Sequence, residues 1–223
     1  MQLSLLRNVF AATLMTAALA AAQGPGGTMY RVSITNITKG QIISPVVVAT
    51  HVQHAPPLWT MGEPASEELA QVAEDAILGP LQMQLGNLAE VLDVKTITGV
   101  NGPILPGETA SVEVEFTGPY RWVSAAAMLV TTNDAFTGLN GVRGPNVGAG
   151  VHMAPAYDAG SEANTESCEH IPGPPCGNPE MRVTDGAEGY VYIHPGISGE
   201  GDDLTESGYD WRNPVARFVI ERL

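Results

Sequence analysis

The sequence predicts a mainly β protein, an antiparallel β-sandwich with one inserted helix. Many short segments alternate apolar and polar residues, as half-buried strands do, and clusters of glycine and proline separate them. Only one segment has a clear helical period. Repeated short strands with turns between them are typical of a sandwich of two packed sheets.

The amino terminus has the pattern of an export signal. One arginine precedes an apolar run over residues 9–22, and Ala20, Ala21 and Ala22 provide small residues before Gln23. We therefore expect a signal peptide over residues 1–22, a single domain over 23–223, and a secreted or periplasmic protein. The apolar run is short for a membrane span, and no later segment is long and apolar enough, so we expect no integral membrane span.

The strands and the helix follow in order along the chain. Alternation begins at 29–38, and a β-branched segment at 42–51 contains Pro45, which marks an edge or a bulge. A helix is predicted near residues 66–78, because Ser66 is a plausible cap and apolar residues recur on one face. For residues 78–92 the sequence is compatible with two alternatives, an extension of this helix after the break at Gly79-Pro80 or a loose second turn. Further strands are predicted at 94–100, 109–118, 122–132, 180–185, 189–197 and 215–223, with a long loop rich in glycine and proline at 138–177.

Charge and cysteine content limit the classes of function. A net charge of -14 argues against binding to nucleic acid, which requires a basic surface. An acidic surface is consistent either with solubility or with cation binding. Cys168 and Cys176 are separated by a short loop with three prolines, and in an exported chain this spacing predicts a disulfide.

Two polar loops carry the candidate metal ligands. Asp134 follows directly on an apolar strand, and Asp158 and Glu162 lie in a segment of small residues with Asn164 and Glu166 nearby. Calcium binds six to eight oxygen atoms, and loops at one end of a sandwich can supply them. Spacing alone leaves two alternatives open, a calcium site and two solvated loops.

Five quoted segments together resemble the spondin amino-terminal domain family in its bacterial secreted form. They are MYRVSITNITKGQIISPVVVATH, WTMGEPASEELAQVAEDA, SAAAMLVTTNDAFTGLNG, YDAGSEANTES and DWRNPVARFVIERL. The resemblance covers nearly all of residues 29–223, in the order of the family, and the combination of TNDAF-G with YDAG-E-N is its most specific part.

The resemblance implies a fold and a ligand set. The fold is an antiparallel sandwich similar to the calcium-dependent membrane-binding domains of protein kinase C, with one Ca²⁺ ion in its end loops. Asp134 and Asp158 match two acidic ligand positions, and Glu162 occupies a third position where animal relatives have aspartate. The implied role is adhesion or recognition of an extracellular or surface protein or glycan, and we expect a monomer.

Two other functions are possible alternatives to calcium binding. The histidines could hold a transition metal, but their spacing fits neither one strand face nor a helical metal motif; they are His51, His54, His152, His170 and His194. The second rival is a hydrolase that uses a metal in the same acidic cleft. The G-x-S-x-G, P-loop and G-x-G-x-x-G motifs are absent from the sequence, so we expect no enzyme.

Overall fold

The described chain folds into two antiparallel sheets, as the sequence predicts. The computed structural model describes residues 26–223, so the predicted signal peptide lies outside the described residues. The elements are β1 Thr28–Asn36, β2 Val46–His51, α1 Glu67–Asp75, α2 Gly79–Gly86, β3 Val91–Ile97, β4 Thr109–Phe116, β5 Trp122–Met128, β6 Ala135–Arg143, β7 Ala149–Ala154, β8 Ala156–Asp158, β9 Tyr192–Ile193, α3 Glu206–Tyr209 and β10 Ala216–Arg222.

The two sheets have different sizes. The first has four strands in the order β4-β1-β10-β7, and the second has six in the order β3-β2-β5-β6-β8-β9. The first and last strands of the chain, β1 and β10, pair with each other across the middle of the first sheet, from Tyr30 opposite Arg222 to Asn36 opposite Ala216. The fold class is thus confirmed as a mainly β sandwich.

The alternating residues of the first sheet form the core between the sheets. Val32 and Ile34 of β1 and Phe218 and Ile220 of β10 are fully buried. Every second residue of a strand points to the same face, so the intervening polar residues of these strands lie on the outer face of the first sheet. The alternation that predicts strands β1 and β10 therefore matches their burial in the structure.

Helix α1 covers the outer face of the second sheet. Leu69 and Val72 of the helix belong to a second apolar cluster with Val47, Ala126 and Phe136 of the sheet. Strand β5 is therefore buried on both faces from Val123 onward, which explains its continuous apolar sequence. The predicted helix is confirmed, and the described residues contain two further short helices, α2 and α3.

Residues 135–185 differ from prediction in two ways. The strand predicted at 180–185 is wrong, because these residues form turns and irregular chain. The loop predicted at 138–177 is also wrong in part, because β6, β7 and β8 lie at least partly within it. Glycines hid the strand pattern of β6. A Cβ atom at Gly138 would lie 1.9 Å from the carbonyl oxygen of Ala125, so close pairing with β5 requires glycine here.

The predicted disulfide is confirmed. Cys168 and Cys176 are bonded, with their Cα atoms 4.8 Å apart, and the bond closes a turn in the long segment after β8. None of the helices in residues 26–223 is long and apolar enough to cross a membrane.

Candidate functional site

Asp134 and Asp158 lie side by side at the same end of the second sheet. Asp134 ends the loop between β5 and β6, and Asp158 is the last residue of β8, where it pairs with Ala135. The main-chain oxygen of Asp134 also accepts a hydrogen bond from Ala159 N at 3.2 Å. Both aspartates are 0 % exposed. The structure therefore brings together the two carboxylates that the sequence predicted as ligands.

One carboxylate oxygen of Asp134 is well satisfied and the other is not. Oδ2 accepts hydrogen bonds from Ser161 N at 2.7 Å, Ser161 Oγ at 3.2 Å and Glu162 N at 3.0 Å. Oδ1 is buried and has no hydrogen-bond partner. A buried charged oxygen without a partner is costly, so Oδ1 of Asp134 is a position where a proton or a cation would be stabilising.

Asp158 is held in place by the loop that follows it. Its Oδ1 accepts from Gly160 N at 2.7 Å, and its Oδ2 accepts from Asn164 Nδ2 at 2.6 Å. Gly160 has φ +66°, and a Cβ atom there would lie 2.3 Å from the carbonyl oxygen of Tyr190. The glycine of the YDAG motif is therefore needed for the conformation and the close packing of this loop.

Burial raises the pKa of both aspartates above the ordinary value. Burial, reinforced by the charge of Asp158, raises the pKa of Asp134 to about 8. Burial raises the pKa of Asp158 to about 6, although hydrogen bonds from Asn164 and Gly160 act in the opposite direction. Without a compensating cation the pair favours retention of at least one proton at neutral pH.

Glu162 approaches the pair through its backbone rather than its carboxylate. Its N–H donates to Asp134, whereas its own Oε1 accepts from Val183 N at 2.8 Å. Burial raises the pKa of Glu162 to about 7, and the charges of Glu74 and Asp75 on α1 contribute to the rise. The third predicted ligand is thus close to Asp134, but its carboxylate contacts the segment at Val183.

The structure places Glu188, which the sequence reasoning missed, next to Asp158. Its Oε1 accepts from Tyr192 Oη at 3.1 Å and from Asn164 Nδ2 at 3.3 Å, and its Oε2 is buried without a partner. The charge of Glu188 contributes to the raised pKa of Asp158. Glu188 lies 30 residues after Asp158, in irregular chain between Gly186 and Gly189, so no local spacing connects the two.

Hydrogen bonds of Asn133 connect the loop before Asp134 with the loop after Asp158, at Thr165 and Glu166. Asn133 Oδ1 accepts from Glu166 N at 3.2 Å, and Asn133 Nδ2 donates to Thr165 Oγ1 at 3.2 Å. The carboxylate of Glu166 points away toward another loop, where it accepts from Ser198 N at 2.6 Å and Gly199 N at 2.7 Å. Glu166 is therefore a structural link between loops rather than a ligand beside Asp134.

The two most buried histidines, His51 and His194, belong to separate hydrogen-bond networks. His51 Nε2 lies 2.8 Å from Ser124 Oγ, on β5. His194 Nε2 lies 3.0 Å from Asn164 Oδ1 and 3.7 Å from Asp158 Oδ2, and burial lowers the pKa of His194 to about 4. His194 is thus a neutral neighbour of the aspartate pair at neutral pH.

The two aspartates fit a hard cation such as calcium only if further oxygen atoms complete its coordination shell. Within residues 26–223, no three side chains of His, Cys, Asp or Glu are arranged to hold a metal ion as they stand. Asp134 Oδ1 is free to bind, and Asp158 would exchange a hydrogen bond for the ion. Calcium accepts backbone carbonyl, amide and water oxygens in a flexible shell, so two buried carboxylates fit it better than they fit zinc.

No family model and no curated protein matches this chain. The resemblance to the spondin family therefore rests on the sequence motifs around Asp134 and Asp158 and on the order in which the five resembling segments follow along the chain.

Proposed function

We propose that this chain is a secreted, single-domain, spondin-like module that binds one calcium ion at Asp134 and Asp158. The main support for this proposal is that Oδ1 of Asp134 is buried and lacks a hydrogen-bond partner. This atom belongs to one of two adjacent buried carboxylates. A divalent cation there compensates the charge of both aspartates, and oxygen ligands of this kind are those that calcium prefers.

Glu188 and Glu162 differ in how directly they would contribute to calcium binding. Glu188, with its unpartnered Oε2, lies on the Asp158 side and is the better candidate for a third carboxylate ligand. Glu162, the position implied by the family, contributes its N–H to Asp134 and a negative charge nearby. Asn164 holds Asp158 and Glu188 in place by donating to both.

The bound ion would stabilise the loops for recognition at the cell surface or outside the cell. Asp134, the loop after Asp158 and Glu188 come from three separate parts of the chain, so one ion would connect all three. The adhesive role and the protein or glycan partner come from the spondin resemblance. The acidic composition is compatible with a cation-dependent role but does not select a partner.

The test is thermal unfolding of the mature protein in chelator, in calcium and in magnesium. A site filled at one hundred times its dissociation constant adds about 2.7 kcal/mol to stability, which corresponds to roughly 5 to 11 °C for a domain of this size. We expect this rise in calcium and a much smaller one in magnesium, which demands a tighter octahedral shell.

Asp134→Asn and Asp158→Asn are the decisive variants. Each should abolish the calcium-dependent rise. Asp134→Asn should also raise the melting temperature in chelator, because an amide avoids the cost of protonating a buried carboxylate whose pKa is raised to about 8. Asp202→Asn, at an exposed aspartate, is the matched control and should respond to calcium like the wild type. A calcium response that persists in both site variants would refute the proposal.

A further inference from the structure

Strand β7, one edge of the four-stranded sheet, lacks the protection that the other sheet edges have. Proteins usually guard exposed edges with charged side chains, short strands or irregular geometry. The opposite edge of the same sheet, β4, carries Glu113 and Glu115, and β3 carries Asp93 and Lys95. The remaining edge, β9, has only two residues. By contrast, the six residues of β7, AGVHMA, contain no charge and no proline.

Hydrogen bonds at both ends of β7 show which of its residues face its neighbour β10. Arg222 N donates to Gly148 O at 2.9 Å, and Val215 N donates to Ala154 O at 2.9 Å. In an antiparallel strand the N–H and C=O of one residue point to the same side, and successive residues alternate. The even-numbered residues of β7 therefore bond to β10.

The odd-numbered residues, Ala149, Val151 and Met153, direct their backbone groups away from the sheet. Among residues 26–223, no other backbone group forms a hydrogen bond with the N–H or C=O groups of these three residues. Their side chains are exposed as well, 52 % for Val151 and 53 % for Met153. The edge thus offers three unpaired residues with apolar side chains.

The surroundings of this edge are open and apolar. Val147, just before β7, is 79 % exposed, and the half-buried Val219 lies beside Val151 on β10. A cleft of about 410 Å³ separates β7 from Leu139 and Val142 of β6. No described residue therefore fills the position where a further strand would lie.

We propose that a second copy of this chain fills it, by antiparallel pairing of β7 with β7 about a two-fold axis. With Val151 opposite Val151 of the second copy, Ala149 of each copy lies opposite Met153 of the other. This register uses all three outward-facing residues of each copy and forms about six backbone hydrogen bonds. It also joins two four-stranded sheets into one continuous sheet.

The charge pattern beside the β7 edge, rather than the net charge, fits a second copy as the occupant. Each chain carries a net charge of -14, so most faces of two copies repel each other, whereas the β7 seam has no charged residue of its own. On the neighbouring strand, Arg217 lies beside Met153 and Glu221 lies beside Ala149. Antiparallel pairing therefore aligns Glu221 of each copy with Arg217 of the other, across the two seam residues. This proposal departs from the monomer expected from sequence and does not depend on the calcium site.

The test is sedimentation of the mature protein from about 1 to about 100 µM, a range over which mass action should convert monomer to dimer. We expect the wild type to dimerise in calcium and in chelator alike. Val151→Lys should remain monomeric, because it places two positive charges directly opposite each other at the seam. Val100→Lys adds the same charge at a loop residue that is 90 % exposed and should dimerise like the wild type.

A cross-linking variant checks the register. Val151→Cys should form a covalent dimer on mild oxidation, because directly opposed residues of an antiparallel pair have Cα atoms about 5.5 Å apart. Val100→Cys is its control and should stay monomeric. The proposal would be overturned if the wild type sediments as a monomer throughout the range. This holds also if its β7 edge binds only a different protein. A dimer that survives Val151→Lys would overturn it equally.

Discussion

Asp134 shows how the environment of one side chain points to its ligand. Two neighbouring N–H groups and a hydroxyl satisfy Oδ2, while Oδ1 faces a buried position without a partner. The sequence predicted Asp134 because it directly follows an apolar strand. It did not predict this asymmetry between the two oxygens, since the donors belong to Ser161 and Glu162, which are distant in sequence.

Glu162 and Glu188 differ in the direction of their carboxylates, and this difference is testable. We expect Glu188→Gln to weaken calcium affinity on the order of ten-fold, because it removes a charge that acts on Asp158. Glu162→Gln should have a smaller effect, because its carboxylate accepts from Val183 N. Calcium titration calorimetry measures both affinities. The reverse order of effects would identify Glu162 as the third ligand.

At the scale of elements, the strands and helices that follow simple periodicity were predicted well. β1, β4 and β10 alternate clearly, and α1 has its cap and its apolar face in the expected places. β6 was not predicted, because its glycines interrupt the apolar pattern. Gly138 permits close approach between β5 and β6, which is a property of the sheet and not of the segment, whereas Gly141 has a φ of +71°.

The cap of α1 supports a prediction about stability. Ser66 Oγ accepts from Leu69 N at 3.2 Å, so it satisfies one of the free N–H groups at the start of the helix. Ser66→Ala should destabilise the protein by about 1 kcal/mol and lower its melting temperature by roughly 2 to 4 °C. Ser66→Asp restores an acceptor and is the control. Equal losses in both variants would show that the cap is not responsible.

At the scale of the whole molecule, the aspartate pair couples stability to pH. The folded pKa of Asp134 is about 8 against an ordinary value of 3.8, so the folded state binds more protons than the unfolded state between these values. In chelator, stability should therefore fall as pH rises toward 8. His194, with its pKa lowered from 6.5 to about 4, gives the opposite slope below pH 6.5.

Between pH 6.5 and pH 8 the falling slope should therefore be clearest. We expect the melting temperature in chelator to decrease over this range and to change much less in saturating calcium, because the ion favours the ionised carboxylates. Asp134→Asn should flatten the profile in chelator. A wild-type profile that is already flat, or that rises with pH, would contradict the assigned burial of Asp134.

The sequence by itself determined the sandwich class, the helix α1 and the disulfide, because each depends on local periodicity, capping or short spacing. It also singled out Asp134 and Asp158 as candidate ligands, through their place in polar loops and the motifs that surround them. Only the tertiary structure decided that Glu188 lies beside Asp158, that the Glu162 carboxylate faces Val183, and that β7 is an edge with unpaired backbone groups. These features arise from contacts between segments far apart in the chain. No pattern within one segment encodes which strand will lie at an edge or which carboxylate will meet another.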